Sequence, residues 1–241
     1  MESRLLRISN RYKSSGSMAD FISCFTDAAT YSCNRFELVS FQMPRLYPNV
    51  FYANNTLETS KGIFTVPSGQ YDSDSLCSVL SELKSGIDFS QSCGYVIMKA
   101  TENVTYYGSR STIGRIIGEQ RDIVMVTTTG SQLASSWICR DRPDLLGPEL
   151  FLQIPSMTHA LCSESSGNEQ TSFIPLLCSI PTSQVEFGAD IHYTPVTPIV
   201  FETQNPFSLN CVRVQLTDSW GNTLVVPENC FSNLLIKYYY E

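Results

Sequence analysis

Short apolar runs dominate the chain and give it the pattern of a β protein. The runs are rich in β-branched and aromatic residues and end at clusters of Pro, Gly, Asn and Ser. Such runs are typical of strands separated by turns and loops. We therefore predict strands at 4–9, 20–25, 35–43, 62–66, 94–100, 104–107, 123–128, 149–154, 172–180, 184–187, 198–202, 211–217, 223–226 and 234–240.

Two segments depart from the strand pattern. Four apolar residues recur at helical spacing in the first of them: Leu76, Val79, Leu80 and Leu83. Asp72 or Ser73 can accept the free amide hydrogens at the start of this helix, and Gly86 can take the left-handed turn at its end. A weaker pattern predicts a second short helix at 111–119, although Gly114 weakens it.

The spacing of the strands predicts how the chain is organised. Prolines are frequent in the second half, where they should mark strand ends and long connections, and no internal repeat is visible. We predict an all-β fold: a single jelly-roll β-sandwich with one or two short helices. It should form one domain over residues 1–241, with 1–18 as a candidate N-terminal arm.

Composition narrows the class of protein. Only 39 of the 241 residues are charged, about two thirds of the usual share. The apolar content of 42% argues against disorder, and the net charge of −7 argues against a nucleic-acid partner. No apolar run is long enough to span a bilayer, and the N-terminal segment does not resemble a secretion signal.

The cysteines and histidines predict no metal or catalytic site. The nine cysteines are scattered without a CxxC pair, and only His159 and His192 could supplement them as zinc ligands. We expect reduced, buried thiols in a cytosol-like compartment. The motifs of serine hydrolases, P-loop and dinucleotide-binding proteins and zinc proteases are absent from the sequence. We therefore expect no enzyme activity, no cofactor and no metal.

Aromatic side chains are the best candidates for contacts with a partner. Successive residues on a strand point to opposite faces, so Tyr239 should face away from Tyr238 and Tyr240. Tyrosine and tryptophan combine a large apolar area with a polar group and are enriched in interfaces. The predicted interface residues are Tyr47, Phe51, Tyr52, Trp137 and Tyr239.

The order of segments resembles the single jelly-roll penton, or vertex, proteins of large icosahedral double-stranded DNA viruses and virophages. The resemblance is carried by LRISNRYKSSGSMADFISCF, CNRFELVSFQMPRLYPNVFYANNTLE, IFTVPSGQY with the helix after it, GPELFLQIPSM, FIPLLCSIP and CVRVQLTDSWGNTLVVPENCFSNLLIKYYYE. Asp218 and Gly221 match a turn that joins late strands in that family. Residues 130–148, which include Trp137, depart from the family pattern. Length and cysteine content favour the branch found in African swine fever-like viruses.

The resemblance implies a late structural protein without catalysis. Members form homopentamers that cap the fivefold vertices, where they contact capsomers of the major capsid protein and inner minor capsid proteins. The implied locations are the virion and viral assembly sites in the host cytoplasm. We also expect the low-charge loops at 47–56 and 163–171 to be ordered by neighbouring subunits or to be mobile without them.

Two other hypotheses fit the residues less well. The chain could be a β-sandwich binding module for a glycan or receptor, with stacking platforms drawn from Tyr47, Tyr52, Trp137 and Trp220. Alternatively, Cys162 and His159 could form the thiolate–imidazole pair of a cysteine hydrolase. The first predicts specific glycan binding, and the second predicts a thiol of low pKa at Cys162.

Overall fold

The computed structural model describes residues 2–25, 32–127, 135–145, 149–155, 161–165, 171–182, 184–208, 210–218 and 221–240. The strands are β1 (Glu2–Ser9), β2 (Ser15–Gly16), β3 (Asp20–Cys24), β4 (Ser32–Pro44), β5 (Thr56–Thr59), β6 (Gly62–Thr65), β7 (Ile87–Ser92), β8 (Tyr95–Ala100), β9 (Val104–Tyr107), β10 (Asp122–Met125), β11 (Ser136–Ile138), β12 (Leu150–Gln153), β13 (Leu161–Ser165), β14 (Thr171–Ile180), β15 (Asp190–Tyr193), β16 (Ile199–Ser208), β17 (Cys211–Thr217) and β18 (Asn233–Tyr240). The helices are α1 (Ser73–Glu82) and α2 (Gly114–Ile117), with one 3-10 turn at Asn10–Tyr12.

The chain forms two compact units. Met1–Tyr47 and Pro148–Glu241 form one, which we call the jelly-roll unit, and Pro48–Gly147 form the other, which we call the inserted unit. In the sequence, the inserted unit lies between β4 and β12. The prediction of one domain over 1–241 stays a prediction.

The jelly-roll unit has two antiparallel sheets. One has the order β1-β18-β4, with β15 and β16 pairing with opposite ends of β4, and the other has the order β13-β14-β12-β17-β3-β2. Eight strands of this unit take the letters B to I in chain order: β1, β3, β4, β12, β14, β16, β17 and β18. With these letters, one sheet has the strand order B-I-D-G and the other has the strand order C-H-E-F. This is the strand order of a jelly roll. The predicted fold class, an all-β jelly-roll sandwich with short helices, is confirmed.

Apolar side chains from both sheets fill the space between them. Phe36 and Phe41 of β4 pack in one core with Phe21 of β3 and Leu152 of β12. The pairing of β4 with β18 shifts by one residue at Val39, which forms a β-bulge. Because of this shift, the alternate side chains of β4 before the bulge and those after it both face the core. The interior is thus packed by the chain's own side chains.

The inserted unit has two smaller sheets, a second apolar core and both helices. Its sheets have the orders β10-β9-β5-β6 and β11-β8-β7. Helix α1 starts at the predicted cap, because the Asp72 carboxylate accepts the Ser75 amide hydrogen at 2.8 Å. Helix α2 is shorter than predicted and ends at Gly118, which has a φ of +82°.

Several sequence predictions differ from the structure. Residues 184–187 form a turn instead of a strand, and 223–226 contribute only an isolated bridge between Thr217 and Thr223. Residues 2–9 of the proposed N-terminal arm pair with β18 inside a sheet. In the second predicted loop, 163–165 belong to β13 and pair with the start of β14, and 166–170 lie outside the described residues.

The loop at 47–56 is held by the chain itself. Asn54 accepts the Phe51 amide hydrogen at 2.7 Å and donates to the Asn49 carbonyl at 3.0 Å. Asn49 in turn donates to the Tyr71 carbonyl at 2.7 Å. The prediction that neighbouring subunits order this loop was wrong, because buried asparagines satisfy its backbone internally.

The expectation of reduced thiols was wrong for two cysteines. Cys24 and Cys211 form a disulfide between β3 and β17. The free cysteines of the described part are Cys33, Cys77, Cys93, Cys139, Cys178 and Cys230, of which only Cys93 is exposed. Burial raises the pKa of the Cys139 and Cys178 thiols to about 12, so both are inert and protonated at neutral pH.

Candidate functional site

The five predicted interface residues fall into two groups. Tyr47 and Phe51 are only 1% and 0% exposed, so they are core residues that offer no surface to a partner. Tyr52 is 64% exposed, Trp137 is 37% exposed, and Tyr239 is half-buried. The predicted interface residues that reach the surface are therefore Tyr52, Trp137 and Tyr239.

Tyr239 lies on the outer face of the B-I-D-G sheet. Tyr238 is in the core and Tyr239 is not, so the predicted alternation is confirmed for this pair. The hydroxyl of Tyr239 donates to Glu37 at 3.0 Å, and the Arg35 guanidinium lies 4.9 Å from its ring centroid. The ring is thus held in place by charged neighbours on the sheet.

Asp218 and Gly221 lie in a turn after β17. The buried Asp218 carboxylate accepts the backbone N–H and the side-chain amide of Asn222, at 2.8 and 2.9 Å. Gly221 has a φ of +82° and donates its N–H to the Asp218 carbonyl at 3.1 Å. Trp220, a proposed stacking platform, lies outside the described residues.

A buried carboxylate that the sequence analysis missed organises one corner of the inserted unit. The Glu119 side chain is 1% exposed and accepts two hydrogen bonds from the Arg121 guanidinium, both at 2.9 Å. It also accepts the Arg121 amide hydrogen at 3.1 Å and the indole N–H of Trp137 at 2.9 Å. Four hydrogen bonds thus fix one carboxylate and, through it, an exposed tryptophan.

The hydrogen bonds that Glu119 accepts favour the charged form of its carboxylate. Burial alone would raise the pKa of Glu119, but the hydrogen bonds from Arg121 and Trp137 outweigh it and hold the pKa at about 2. The Arg121 guanidinium also lies 5.4 Å from the Trp137 ring centroid, within the range of a cation–π contact. The three side chains therefore form one rigid cluster, which we call the Glu119 cluster.

The Glu119 cluster borders a polar cleft. The cleft has a volume of about 230 Å³ and is lined by Gly118, Glu119, Gln120, Arg121, Arg140 and Asp141. Its two walls are tied together because Asp141 donates its N–H to the Gly118 carbonyl at 3.0 Å. A Cβ on Gly118 would lie 2.1 Å from the Asp141 carbonyl oxygen, so only glycine allows this approach.

A weak signal for this site was present in the sequence. Gly118 and Glu119 are the last two residues of the predicted helix at 111–119, and the basic Arg121 follows. Nothing in the sequence places Trp137 beside them, because it lies on another strand. The departure of 130–148 from the family pattern was the closest indication.

The described residues bring together no candidate metal centre. Within the described ranges, no group of three or more His, Cys, Asp or Glu side chains could hold a metal ion. His159 of the hydrolase hypothesis lies outside the described residues, and only the backbone of Cys162 is described, in β13. In the part of the chain that the structure covers, no helix is long and apolar enough to cross a membrane.

Comparison with known proteins adds one structural likeness. No family model matches the chain, and no curated protein matches it. The narrower assignment to African swine fever-like viruses therefore has no support. Among solved structures, the chain is similar to the crystal structure of the selenomethionine-labelled mavirus penton protein. The identity is 11%, the match covers 100% of both chains, and the TM-score is 0.49. The jelly-roll assignment rests on the strand order of the two sheets.

Proposed function

We propose that this chain is a non-enzymatic structural protein that caps the fivefold vertices of an icosahedral virion as a homopentamer. The observation that carries the proposal is the B-I-D-G and C-H-E-F strand order of the jelly-roll unit, since capsid proteins are among the main users of that fold. The segment-by-segment resemblance to penton proteins supports the same role. Fold alone does not fix function, so the packing and surface must be consistent with it as well.

The packed interior favours a structural role over an internal ligand site. Jelly rolls that bind small molecules hold them between the sheets or in a barrel mouth. Here that space is filled by large side chains that are almost completely buried, among them Phe21, Phe36, Phe41 and Tyr47. The functional surface of this unit is therefore its exterior.

The exterior of the jelly-roll unit suits contacts with further subunits. Strand β1 is an edge of the B-I-D-G sheet, and Leu5 on it is 63% exposed. Open edges and exposed apolar side chains favour association with another chain. A fivefold ring uses a heterologous interface that closes on itself, so one edge of each subunit can meet a different patch of the next.

The remaining assignments follow from the vertex position. The partners would be further copies of this chain, the surrounding capsomers of the major capsid protein and inner minor capsid proteins, without nucleic acid. The locations would be the virion and the assembly sites in the host cytoplasm. Each charge that is buried at a contact requires a partner of opposite charge. Few charged side chains would be buried at such contacts, because the chain carries few charged residues.

Two measurements test the proposal. Native mass spectrometry of the purified full chain should give a mass five times the 26.9 kDa of one copy. Reconstruction of the virion should place the chain only at the fivefold axes. A chain that stays monomeric and is absent from the particle, or that lies away from those axes, would overturn the proposal.

A further inference from the structure

We infer that Cys24 and Cys211 form a reversible redox lock, which small disulfides close and small thiols open while the jelly-roll unit stays folded. The inference concerns the jelly-roll unit alone and does not depend on the capsid proposal. It rests on the exposure of the two residues, on the contacts that align β3 with β17 without the bond, and on the burial of other thiols.

The first observation is that both ends of the bond reach the surface. Cys24 ends β3 and Cys211 begins β17, and both residues are exposed. They are direct partners in the register of the two strands, so they lie side by side in the sheet. Thiol–disulfide exchange needs access of a thiolate to one of the two sulfurs. An exposed bond gives this access without unfolding of the chain.

The second observation is that β3 and β17 are also held together by contacts other than the bond. The Arg213 guanidinium donates two hydrogen bonds to the Asp20 carboxylate, at 2.8 and 2.6 Å. On the other face of the sheet, Phe21 of β3 and Val214 of β17 are each 1% exposed and belong to one core. Burial of these side chains favours the same strand pairing in the reduced chain.

Hydrogen bonds at the cysteine end of the ladder add to this alignment. Phe25 donates its backbone N–H to the Asn210 carbonyl at 2.8 Å, and Cys24 donates its own to the Ser14 hydroxyl at 3.1 Å. None of these contacts uses a sulfur atom. The folded, reduced chain therefore keeps the two thiols adjacent, and oxidation closes a pair that folding has already brought together.

The third observation concerns selectivity among the thiols. Of the free cysteines that the structure describes, only Cys93 is exposed, and it lies in the inserted unit. Burial raises the pKa of the Cys77 and Cys230 thiols to about 11. The thiolate is the attacking species, so buried thiols that stay protonated at neutral pH exchange slowly. Oxidation of the folded chain should therefore select Cys24 and Cys211.

The reaction is a pair of exchanges with a small disulfide such as oxidised glutathione. The thiolate of one cysteine attacks a glutathione sulfur, which forms a mixed disulfide and releases one glutathione thiolate. The thiolate of the other cysteine then attacks the protein sulfur of that mixed disulfide and displaces the second glutathione thiolate. The two protein thiols lose two electrons and two protons, and oxidised glutathione gains them as two reduced molecules. Opening is the same sequence in reverse.

The lock responds to the redox state of the surroundings. Glutathione keeps accessible thiols reduced in the cytosol, whereas disulfides persist in oxidising surroundings. The lock would be open where the chain is made in a reducing compartment and closed once the chain leaves it. A disulfide acts mainly on the unfolded chain, so closure should raise stability and leave the fold unchanged.

Reduction of the full, folded chain is the first test. The oxidised chain is treated with reduced glutathione in buffer without denaturant, and free thiols are alkylated and located by peptide mass spectrometry. We expect Cys24 and Cys211 to become labelled only after treatment, with an unchanged circular dichroism spectrum. The buried Cys139 and Cys178 should stay unlabelled before and after it.

Closure is the second test. The reduced chain is equilibrated with mixtures of reduced and oxidised glutathione, with and without urea at a concentration that unfolds it. We expect the equilibrium constant for closure to be about thirtyfold larger or more in the folded chain. Cys93→Ser is the matched control and should close like the wild type. Cys24→Ser should stop at a mixed disulfide between Cys211 and glutathione.

The outcomes separate a reversible lock from a permanent structural bond. A bond that resists glutathione until urea unfolds the chain overturns the inference. So does a loss of the folded spectrum on reduction, or a closure constant that is equal in the folded and unfolded chain. The reduction and closure tests use the wild type, so they hold even if Cys24→Ser fails to fold.

Discussion

Cys24 of β3 lies directly opposite Cys211 of β17, and a disulfide joins the two side chains. The bond links positions 187 residues apart, so it closes more than three quarters of the 241-residue chain into one loop. Both residues are exposed, and the bond therefore adds nothing to the core. Its contribution to stability must come from the restriction of the unfolded chain.

We predict that loss of this disulfide lowers the free energy of unfolding by about 2–5 kcal/mol, since a loop of this length removes much unfolded-state entropy. Urea unfolding of the oxidised protein, the reduced protein and Cys211→Ser measures it. Cys93→Ser is the control, because Cys93 is an exposed free thiol. Equal unfolding midpoints for oxidised and reduced protein would mean that the thiols are unpaired in solution.

A second prediction concerns Gly118, where a side chain meets both a positive φ and a close carbonyl. Gly118→Ala should destabilise the protein by about 3 kcal/mol, from left-handed strain and overpacking together. Gly188→Ala is the matched control, since Gly188 has a φ of +89° but no neighbouring atom within 4 Å of the point where its Cβ would lie. It should cost only the strain of about 1–2 kcal/mol. Thermal unfolding measures the loss of stability in both variants. Equal losses would contradict the close approach of the backbone at Gly118.

The β fold was readable from the sequence because its core strands carry the apolar alternation. β9 and β17 were predicted at their observed bounds, and β1, β4 and β14 within a few residues. Strands such as β5 (TLET) and β7 (IDFSQS) were missed, since their few apolar residues fall below what alternation can detect. The opposite error occurred at 184–187, where Val185 and Phe187 mimic a strand inside a turn.

The sites were less predictable, because they depend on which distant residues meet. The sequence does not show which aromatic side chains of a cluster face the core. Tyr47 and Phe51 could therefore be distinguished from Tyr52 only by their burial in the structure. The pairing of Glu119 with Trp137 joins residues on different elements, and no spacing rule encodes it. The disulfide likewise requires the register of β3 against β17.

The Glu119 cluster predicts an acid-dependent loss of stability. The folded pKa of Glu119 is about 2, below its usual value of 4.5, so its contribution is full above about pH 5 and disappears as the pH falls towards 2. The contribution is at most on the order of 3 kcal/mol, because the Arg121 side chain that lowers the pKa of Glu119 is half-exposed and solvent screens the pair. Glu119→Gln should therefore be less stable than the wild type at pH 6, and the difference should shrink steadily below pH 5.

Urea unfolding between pH 6 and pH 2.5 measures that difference. Glu102→Gln serves as the control, because Glu102 pairs with Lys61 on the surface, where ion pairs contribute at most about 1 kcal/mol. Parallel stability curves for the wild type and Glu119→Gln across this range would show that Glu119 is not held in its charged form.

The last prediction concerns the exposed aromatics in the proposed pentamer. Tyr52 is 64% exposed and packs edge-on against the buried Phe51, so its ring is held in place at the surface. Tyrosines at the centre of an interface often contribute about 2 kcal/mol or more. Tyr52→Ala should therefore weaken pentamer association about thirtyfold, with little change in the thermal stability of the subunit. Tyr12→Ala is the control, since Tyr12 is 73% exposed but was not assigned to an interface. Sedimentation over a range of concentrations measures the association, and an equal effect of both substitutions would remove Tyr52 from the interface.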